Sequence, residues 1–313
     1  MPRKIGDKVI EGVGVLMTTP LKNDYTLNED SVRKQVDWCF EKGAVSMWPC
    51  GYIGEWPQLD TDLRKRYFEV TVDQANGRGW VAAGCHSTNL NTTVELVNHA
   101  EKVGCDLAWI CAVTLRRPTE ADLVSQYKYI LERTSLPLAV YNSYPTGVYM
   151  RAETMVKIAQ LSDRIVAIKD SVGDFAHIAT VYHAGLGNMV SFFGTGYIMM
   201  PHMVFGAAGA LASPFTVPMA RAAYDAFKEK NWDRAWALQS RMTNERPLLT
   251  YPAIAEMTPG AKVTSSHMGY HKAKTSVVTG IEMGPPAPPY APATEAEMKD
   301  ILENVKEFNP LQP

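Results

Sequence analysis

No apolar run in this chain approaches the roughly 20 residues that a membrane-crossing helix needs, so no membrane partner is expected. The opening residues Met1-Pro2-Arg3-Lys4-Ile5-Gly6-Asp7 lack the apolar segment of a signal peptide, and a cytoplasmic location is expected. An excess of one charge is also missing: 31 Lys and Arg stand against 33 Asp and Glu, a net charge of −2. That balance gives no reason to expect nucleic acid or an anionic surface as a partner. The five cysteines, Cys39, Cys50, Cys85, Cys105 and Cys111, form no CxxC pair. Three of them lie in or beside apolar runs, so buried, reduced thiols are expected. No GxGxxG fingerprint follows the first strand-like run, which counts against dinucleotide binding. There is no internal repeat and no low-complexity stretch.

What the chain does have is a march of short apolar runs. They fall at Gly14–Thr18, Val45–Cys50, Trp80–Gly84, Leu107–Ala112, Leu138–Tyr141, Val166–Lys169, Val190–Gly194 and Ala208–Ala212. Most are apolar on both faces, as strands covered by helices require. Helical patterns alternate with them. Asn28–Lys42 starts on an Asn28 cap and ends before Gly43, Thr61–Ala75 precedes Asn76-Gly77, Thr92–Val103 stops at Gly104, and Thr119–Arg133 opens on an acidic first turn. Alternation of this kind predicts an α/β fold, either a closed barrel or a doubly wound sheet. The 313 residues, 46% hydrophobic, suit one (β/α)8 barrel with an appendage. Further helical patterns follow at Met219–Lys230, Trp232–Arg246, Pro259–Gly280 and Thr294–Phe308, with a short proline-rich connector at 284–292. The expected division is a barrel over 1–220 and a C-terminal helical extension over 221–313.

The residue of greatest chemical interest is Lys169, which ends the run Ile165-Val166-Ala167-Ile168-Lys169-Asp170. Barrel chemistry sits at the C-terminal ends of the strands. Desolvation there disfavours an ammonium, and a neutral amine attacks a ketone to form a Schiff base. A strand-end lysine can also snorkel to water or pair with its neighbour Asp170. One unit earlier, Tyr141-Asn142 ends another run, and a phenol beside the amine could shuttle protons during imine formation; alone, it reads equally as a core tyrosine. The segment Gly51-Tyr52-Ile53-Gly54-Glu55 has two glycines around a two-residue tip, where backbone N–H groups can hold a carboxylate; it is also compatible with an ordinary turn. His267 and His271 are four apart, but no carboxylate completes a metal motif. His177 and His183 are six apart and off-phase for one helix face. No metal is expected.

Three motifs together, Gly51-Tyr52-Ile53-Gly54-Glu55, Tyr141-Asn142 with Thr146-Gly147, and Ile168-Lys169-Asp170 with Gly173-Asp174, resemble the dihydrodipicolinate synthase/N-acetylneuraminate lyase family of class I aldolases. Gly194 and the segment 206–213 also fit, and the likeness runs from about Gly12 to the C-terminus. The resemblance implies a (β/α)8 TIM barrel with a C-terminal helical extension, a homotetramer, and no cofactor. It implies that Lys169 forms the imine with pyruvate or another 2-oxo acid and that Tyr141 shuttles protons. It also implies that Gly51, Tyr52, Ile53, Gly194 and Leu211 bind the substrate.

Departures from the family pattern bear on the second substrate. Tyr52-Ile53 replaces the hydroxyl pair usual between the glycines. The stretch 113–118 lacks the tyrosine of the synthase branch, and Ser143-Tyr144-Pro145-Thr146 lacks its arginine. Trp48, Tyr52, Trp56 and Tyr144 cluster in candidate mouth segments. Trp56, Asn142, Tyr144 and Arg116 are therefore the candidate contacts for the second substrate. The expected function is a lyase that cleaves or forms a C–C bond between pyruvate and an aldehyde, in the manner of an aromatic hydratase-aldolase. Dehydration of a 2-oxo acid through the same imine, dihydrodipicolinate synthesis, and an inactive binding protein on the same fold are the alternatives.

Overall fold

The computed structural model describes residues 4–112, 118–143, 148–171, 175–183, 190–193, 198–245, 266–309 and 311–312. An antiparallel pair, Lys4–Ile5 with Lys8–Val9, precedes the main fold. Eight strands follow: β1 Gly12–Leu16, β2 Ser46–Trp48, β3 Trp80–Gly84, β4 Leu107–Cys111, β5 Leu138–Asn142, β6 Ile165–Asp170, β7 Val190–Phe193 and β8 Gly209–Ala212. Each pairs in parallel with the next, and β8 pairs with β1, so the sheet closes into a barrel. The expected (β/α)8 fold is the one observed. Strand β2 is shorter than its apolar run because Pro49 has no N–H to give the ladder and Cys50 turns left-handed at φ 58°.

Helices α1 Glu29–Glu41, α2 Thr61–Ala75, α3 Leu90–Val103, α4 Glu120–Leu131, α5 Ala152–Ala159, α6 Phe175–His183, α7 Met199–Val204 and α8 Val217–Lys228 alternate with the strands. Their starts follow from local chemistry. The side chains of Asn28, Asp60 and Asn89 accept backbone N–H groups of the first turns, and Thr119 forms a capping box with Asp122. The Asn89 cap starts α3 two residues before the expected Thr92. Among the described residues three further helices follow: α9 Trp232–Glu245, α10 His267–Thr279 and α11 Glu295–Phe308. The first part of the expected Pro259–Gly280 helix lies outside the described residues. A division at 220/221 would cut α8, which packs on β1 and β8 as a barrel helix does. We therefore place the start of the extension after Lys228. No helix among the described residues is long and apolar enough to cross a membrane.

The barrel interior carries large aromatic groups on strands β2 to β5. Trp48 of β2 lies edge-on to Trp80 of β3 and Trp109 of β4, with ring centroids 5.2 and 5.3 Å away. Such pairs add about 0.5–1.5 kcal/mol each beyond area burial. Gly14 makes room for them, since a Cβ there would lie 2.7 Å from Trp48 Nε1 and 2.5 Å from Ser46 Oγ. Trp48 is thus barrel core, not mouth. The expectation for the thiols agrees with the structure, in which all five cysteines are free and buried.

Candidate active site

A one-residue irregularity decides which way Lys169 points. Strand β5 pairs with β6 as Leu138↔Ile165 and then Ala139↔Ala167, so Val166 is an extra residue on β6. Side chains alternate along a strand, and a shift by one residue turns every following side chain to the opposite face. With the bulge, Tyr141 pairs with Lys169 and Asn142 with Asp170. On β4, Cys111 is level with Tyr141. Lys169 and Tyr141 face the barrel interior, while Asn142 and Asp170 face the helical layer, where both meet His177 of α6.

Lys169 is 2% exposed. Its Nζ lies 3.6 Å from the Tyr141 ring centroid and 4.5 Å from that of Trp109. Burial holds its proton affinity well below the ordinary lysine range. Cys111, the neighbour whose charge would oppose this, has its own thiol pushed up to about 12 by burial and stays neutral. Asp170 does not pair with the amine. Its carboxylate lies 2.8 Å from His177 Nε2, on the other side of the strand. Lys169 thus lies over two aromatic faces with its ammonium form disfavoured by burial, a setting that favours the nucleophilic neutral amine.

Tyr141 is also buried, and burial raises the pKa of its phenol, against the opposing effect of hydrogen bonds to the Ser143 and Ser171 hydroxyls. These serines stand two residues beyond Tyr141 and Lys169. Alternation thus returns both to the same side, one layer nearer the mouth. They were not singled out from the sequence, where each is an unremarkable loop serine. Tyr52 lies near enough to influence Tyr141 electrically, but less than the serines do. Its ring is tilted against His267 of α10 at 6.2 Å.

The loop after β2 closes on itself. Gly54 and Trp56 donate their N–H groups to Gly51 O, and Glu55 donates to Tyr52 O. The Ile53 N–H makes no hydrogen bond among the described residues. Gly51 is required by a close approach, since a Cβ there would lie 2.8 Å from Trp109 Cη2. Glu55 anchors the loop to the C-terminal helices. Its carboxylate is 2.8 Å from Lys272 Nζ and accepts the Ala287 N–H.

The remaining expected contacts differ in placement. Asn142 is fully occupied as a backbone clamp, accepting from Met150 N and donating to Met150 O. It faces away from the barrel interior, so it is not a substrate contact. Trp56 is 8% exposed, packed edge-on to His86 at 5.2 Å and under the Arg64 guanidinium at 5.6 Å. Leu211 is buried in β8 opposite Gly14. Gly194, Tyr144 and Arg116, with Thr146, Gly147, Gly173 and Asp174, lie outside the described residues. His267 and His271 share a face of α10, but the His271 Nε2 is 3.0 Å from Ser213 Oγ. No group of three potential metal ligands occurs among the described residues.

One residue at the site was missed altogether. His86 follows β3 at the next inward position after Gly84. Its ring stands edge-on to Trp109 at 4.7 Å and tilted to Tyr141 at 5.7 Å. Arg64 of α2 fixes the segment by donating to the carbonyls of Gly84 and His86 at 2.6 and 2.9 Å. From sequence, a lone histidine in Cys85-His86-Ser87 reads as a polar loop residue, and Arg64 as a surface cation of a helix.

The chain is similar to several known proteins. A 4-hydroxy-tetrahydrodipicolinate synthase of Sphingopyxis alaskensis is 32% identical over 230 residues, 72% of this chain and 78% of the relative. One from Methanothrix thermoacetophila is 28% identical over 311 residues, 96% of this chain and 98% of the relative. Among solved structures, a prophage protein of E. coli from the dihydrodipicolinic acid synthase family, in complex with pyruvate, superposes with a TM-score of 0.85 at 19% identity. That match covers 96% of this chain and 99% of the other. An N-acetylneuraminate lyase of Fusobacterium nucleatum superposes with a TM-score of 0.82 at 20% identity, covering 96% and 99%. The family profile described as the Dihydrodipicolinate synthetase family matches residues 9–303, and the chain belongs to that family of aldolase-type lyases.

Proposed function

We propose that this lyase makes or breaks the carbon–carbon bond between pyruvate and an aldehyde through an imine on Lys169. The observation that carries the reading is the buried amine of Lys169 on the same interior face as the Tyr141 phenol. In this mechanism the Nζ lone pair attacks the ketone carbon. Tyr141 gives its proton to the departing hydroxyl as the carbinolamine loses water, and the Ser143 and Ser171 hydroxyls beside it favour the phenolate so formed. The iminium then accepts the electron pair of a bond at the adjacent carbon and becomes an enamine: in synthesis a C–H bond whose proton passes to the phenolate, in cleavage a C–C bond as the phenolate takes the proton of the carbon-4 hydroxyl and the aldehyde leaves. In synthesis the enamine attacks the aldehyde carbon, and the new alkoxide takes the proton held at Tyr141. The free N–H at Ile53, at the tip of the Gly51 loop, is suited to the carboxylate of the acid.

An aromatic aldehyde is the favoured second substrate. The site wall carries Trp56, His86, Trp109 and Tyr141 in mutual contact, and the segment 143–146 offers no guanidinium for a second carboxylate. Synthesis of the dihydrodipicolinate precursor is the second reading, favoured by the name of the 32% identical relative.

Trapping with borohydride in the presence of pyruvate tests the imine. A stable mass increment should map to the peptide containing Lys169 and vanish in Lys169→Ala. An adduct on another lysine, or none with any 2-oxo acid, overturns the reading. A side-by-side assay separates the two substrates. Pyruvate with an aromatic aldehyde should turn over faster than pyruvate with aspartate semialdehyde, and the reverse order would establish the synthase.

A further inference from the structure

The imidazole of His86 is fully buried at the inner end of β3, and its hydrogen bonding is lopsided. Nδ1 accepts the backbone N–H of Cys111 at 3.0 Å. An acceptor nitrogen carries no proton, so the neutral ring bears its hydrogen on Nε2. Burial first, then the charge of the Arg64 guanidinium, pushes the ring's proton affinity well below the ordinary histidine range, and the Cys50 backbone opposes them. Nε2 has no hydrogen-bond partner of good geometry among the described residues, and the Cys50 backbone exerts only the weakest of these effects on the ring. A buried N–H without an acceptor is costly in a folded protein, and such groups concentrate where a ligand completes them.

The position of the ring narrows the choice of ligand atom. The Trp109 and Tyr141 rings flank both the imidazole and the Lys169 amine. After imine formation the ketone oxygen has left as water. The next oxygen along the chain is the one on carbon 4, which is the aldehyde oxygen in synthesis and a hydroxyl in cleavage. We propose that His86 donates from Nε2 to that oxygen and so selects 4-hydroxy-2-oxo acids over their 4-deoxy counterparts. Arg64 acts as a positioning residue, since its two hydrogen bonds pin the carbonyls of Gly84 and His86. The substituent on carbon 4 would then meet Trp56, which packs on another edge of the imidazole.

This inference rests on the imine at Lys169, and the test separates the two. Borohydride trapping is run with pyruvate, 4-hydroxy-2-oxopentanoate and 2-oxopentanoate, counting intact and cleaved adducts together. The quantity read is the ratio of trapping efficiency for the hydroxy acid to that for the deoxy acid. Both acids bear the same oxo group, so changes at Lys169 cancel. The unmodified protein should show a ratio of about 10, the weight of one buried hydrogen bond that would otherwise go unmade. His86→Asn keeps an acceptor near the Cys111 N–H but removes the Nε2 donor, and its ratio should fall to near one. His86→Gln restores an N–H at the reach of Nε2 and should recover part of the preference. A ratio near one in the unmodified protein, an unchanged ratio in His86→Asn, or trapping of pyruvate with neither longer acid overturns the role of His86 while leaving the imine intact. Failure to trap pyruvate at all overturns both.

Discussion

Replacing Lys169 by methionine should abolish the pyruvate adduct and, at neutral pH, make the protein more stable. The amine sits over the faces of Tyr141 and Trp109. Each face offers an ammonium up to about 2 kcal/mol when desolvated. Against this, taking the ion out of water costs several kcal/mol, and among the described residues no carboxylate pairs with it. Desolvation wins, which is why the proton affinity of the amine falls well below its ordinary value of 10.5. The sign of the pH dependence follows. The unfolded chain holds the proton up to about 10.4, and the folded chain releases it earlier. The penalty on the folded state is full below the lowered pKa and disappears as pH rises through the unfolded value. Methionine matches the lysine stem in length, has no charge to bury, and places a sulfur against two rings. Apolar replacement of buried charged groups typically gains about 1–4 kcal/mol. For a chain of this size that is a rise of a few degrees in Tm, at roughly 2–4 °C per kcal/mol or less. Thermal unfolding of both proteins between about pH 6 and pH 10 reads the effect. An equal or lower Tm for Lys169→Met at neutral pH, or a gap that does not narrow as pH rises, would refute the electrostatic account of the site.

Tyr141→Phe should fold normally yet slow deuterium exchange into the pyruvate methyl group by about 10²–10⁴, the weight of a positioned acid–base group; near-normal exchange by NMR excludes the shuttle. The buried Glu55–Lys272 pair should show strong coupling in denaturant unfolding. Burial pushes Glu55 up and Lys272 down, each against the pull of its partner, so either Glu55→Gln or Lys272→Met alone should cost about 3–5 kcal/mol and the double variant less than their sum. Additive losses would show that the pair is not coupled. Deleting Val166 should remove the bulge, turn Lys169 outward and abolish pyruvate trapping, whereas Val166→Ala should lose roughly 1–2 kcal/mol of stability and keep the adduct. Trapping that survives the deletion would mean that the bulge does not set the orientation of Lys169.

The strands were legible because a sheet covered on both faces must be apolar on both, and runs such as Leu107–Cys111 have no other place to go. Lys169 was legible for the complementary reason, as the one charged side chain facing inward from such a run. What the pattern could not convey was the facing of individual residues. A strand apolar on both sides carries no alternation from which to read inward and outward, and the bulge at Val166 resets the count. Asn142 therefore looked like a neighbour of the substrate and is instead a clamp on Met150. Trp48 looked like a mouth aromatic and lies in the interior between Trp80 and Trp109. His86 and Arg64 carried no signal because their environment is assembled from three separate segments. Only the closed barrel brings the end of β3, the Cys111 backbone and helix α2 together.

Facing also resolves the departure at Tyr52-Ile53. A proton shuttle needs hydroxyls within hydrogen-bond reach of the phenol, and a loop carrying tyrosine and isoleucine in place of two hydroxyl residues leaves their source open. Ser143 and Ser171 each stand two residues past an inward side chain of paired strands, so alternation sends both inward at the same level. Both lower the proton affinity of the Tyr141 phenol against the effect of burial, while Tyr52 turns its ring to His267 of the C-terminal helices. In the proposed mechanism the relay hydroxyls come from the two strands that already carry the phenol and the amine. On that proposal the β2 loop has no proton to move and is left to the ligand carboxylate, and its observed geometry is set by the Glu55–Lys272 anchor. Moving the hydroxyls off this loop is what lets an aromatic and an aliphatic side chain occupy its tip without depriving Tyr141 of a partner.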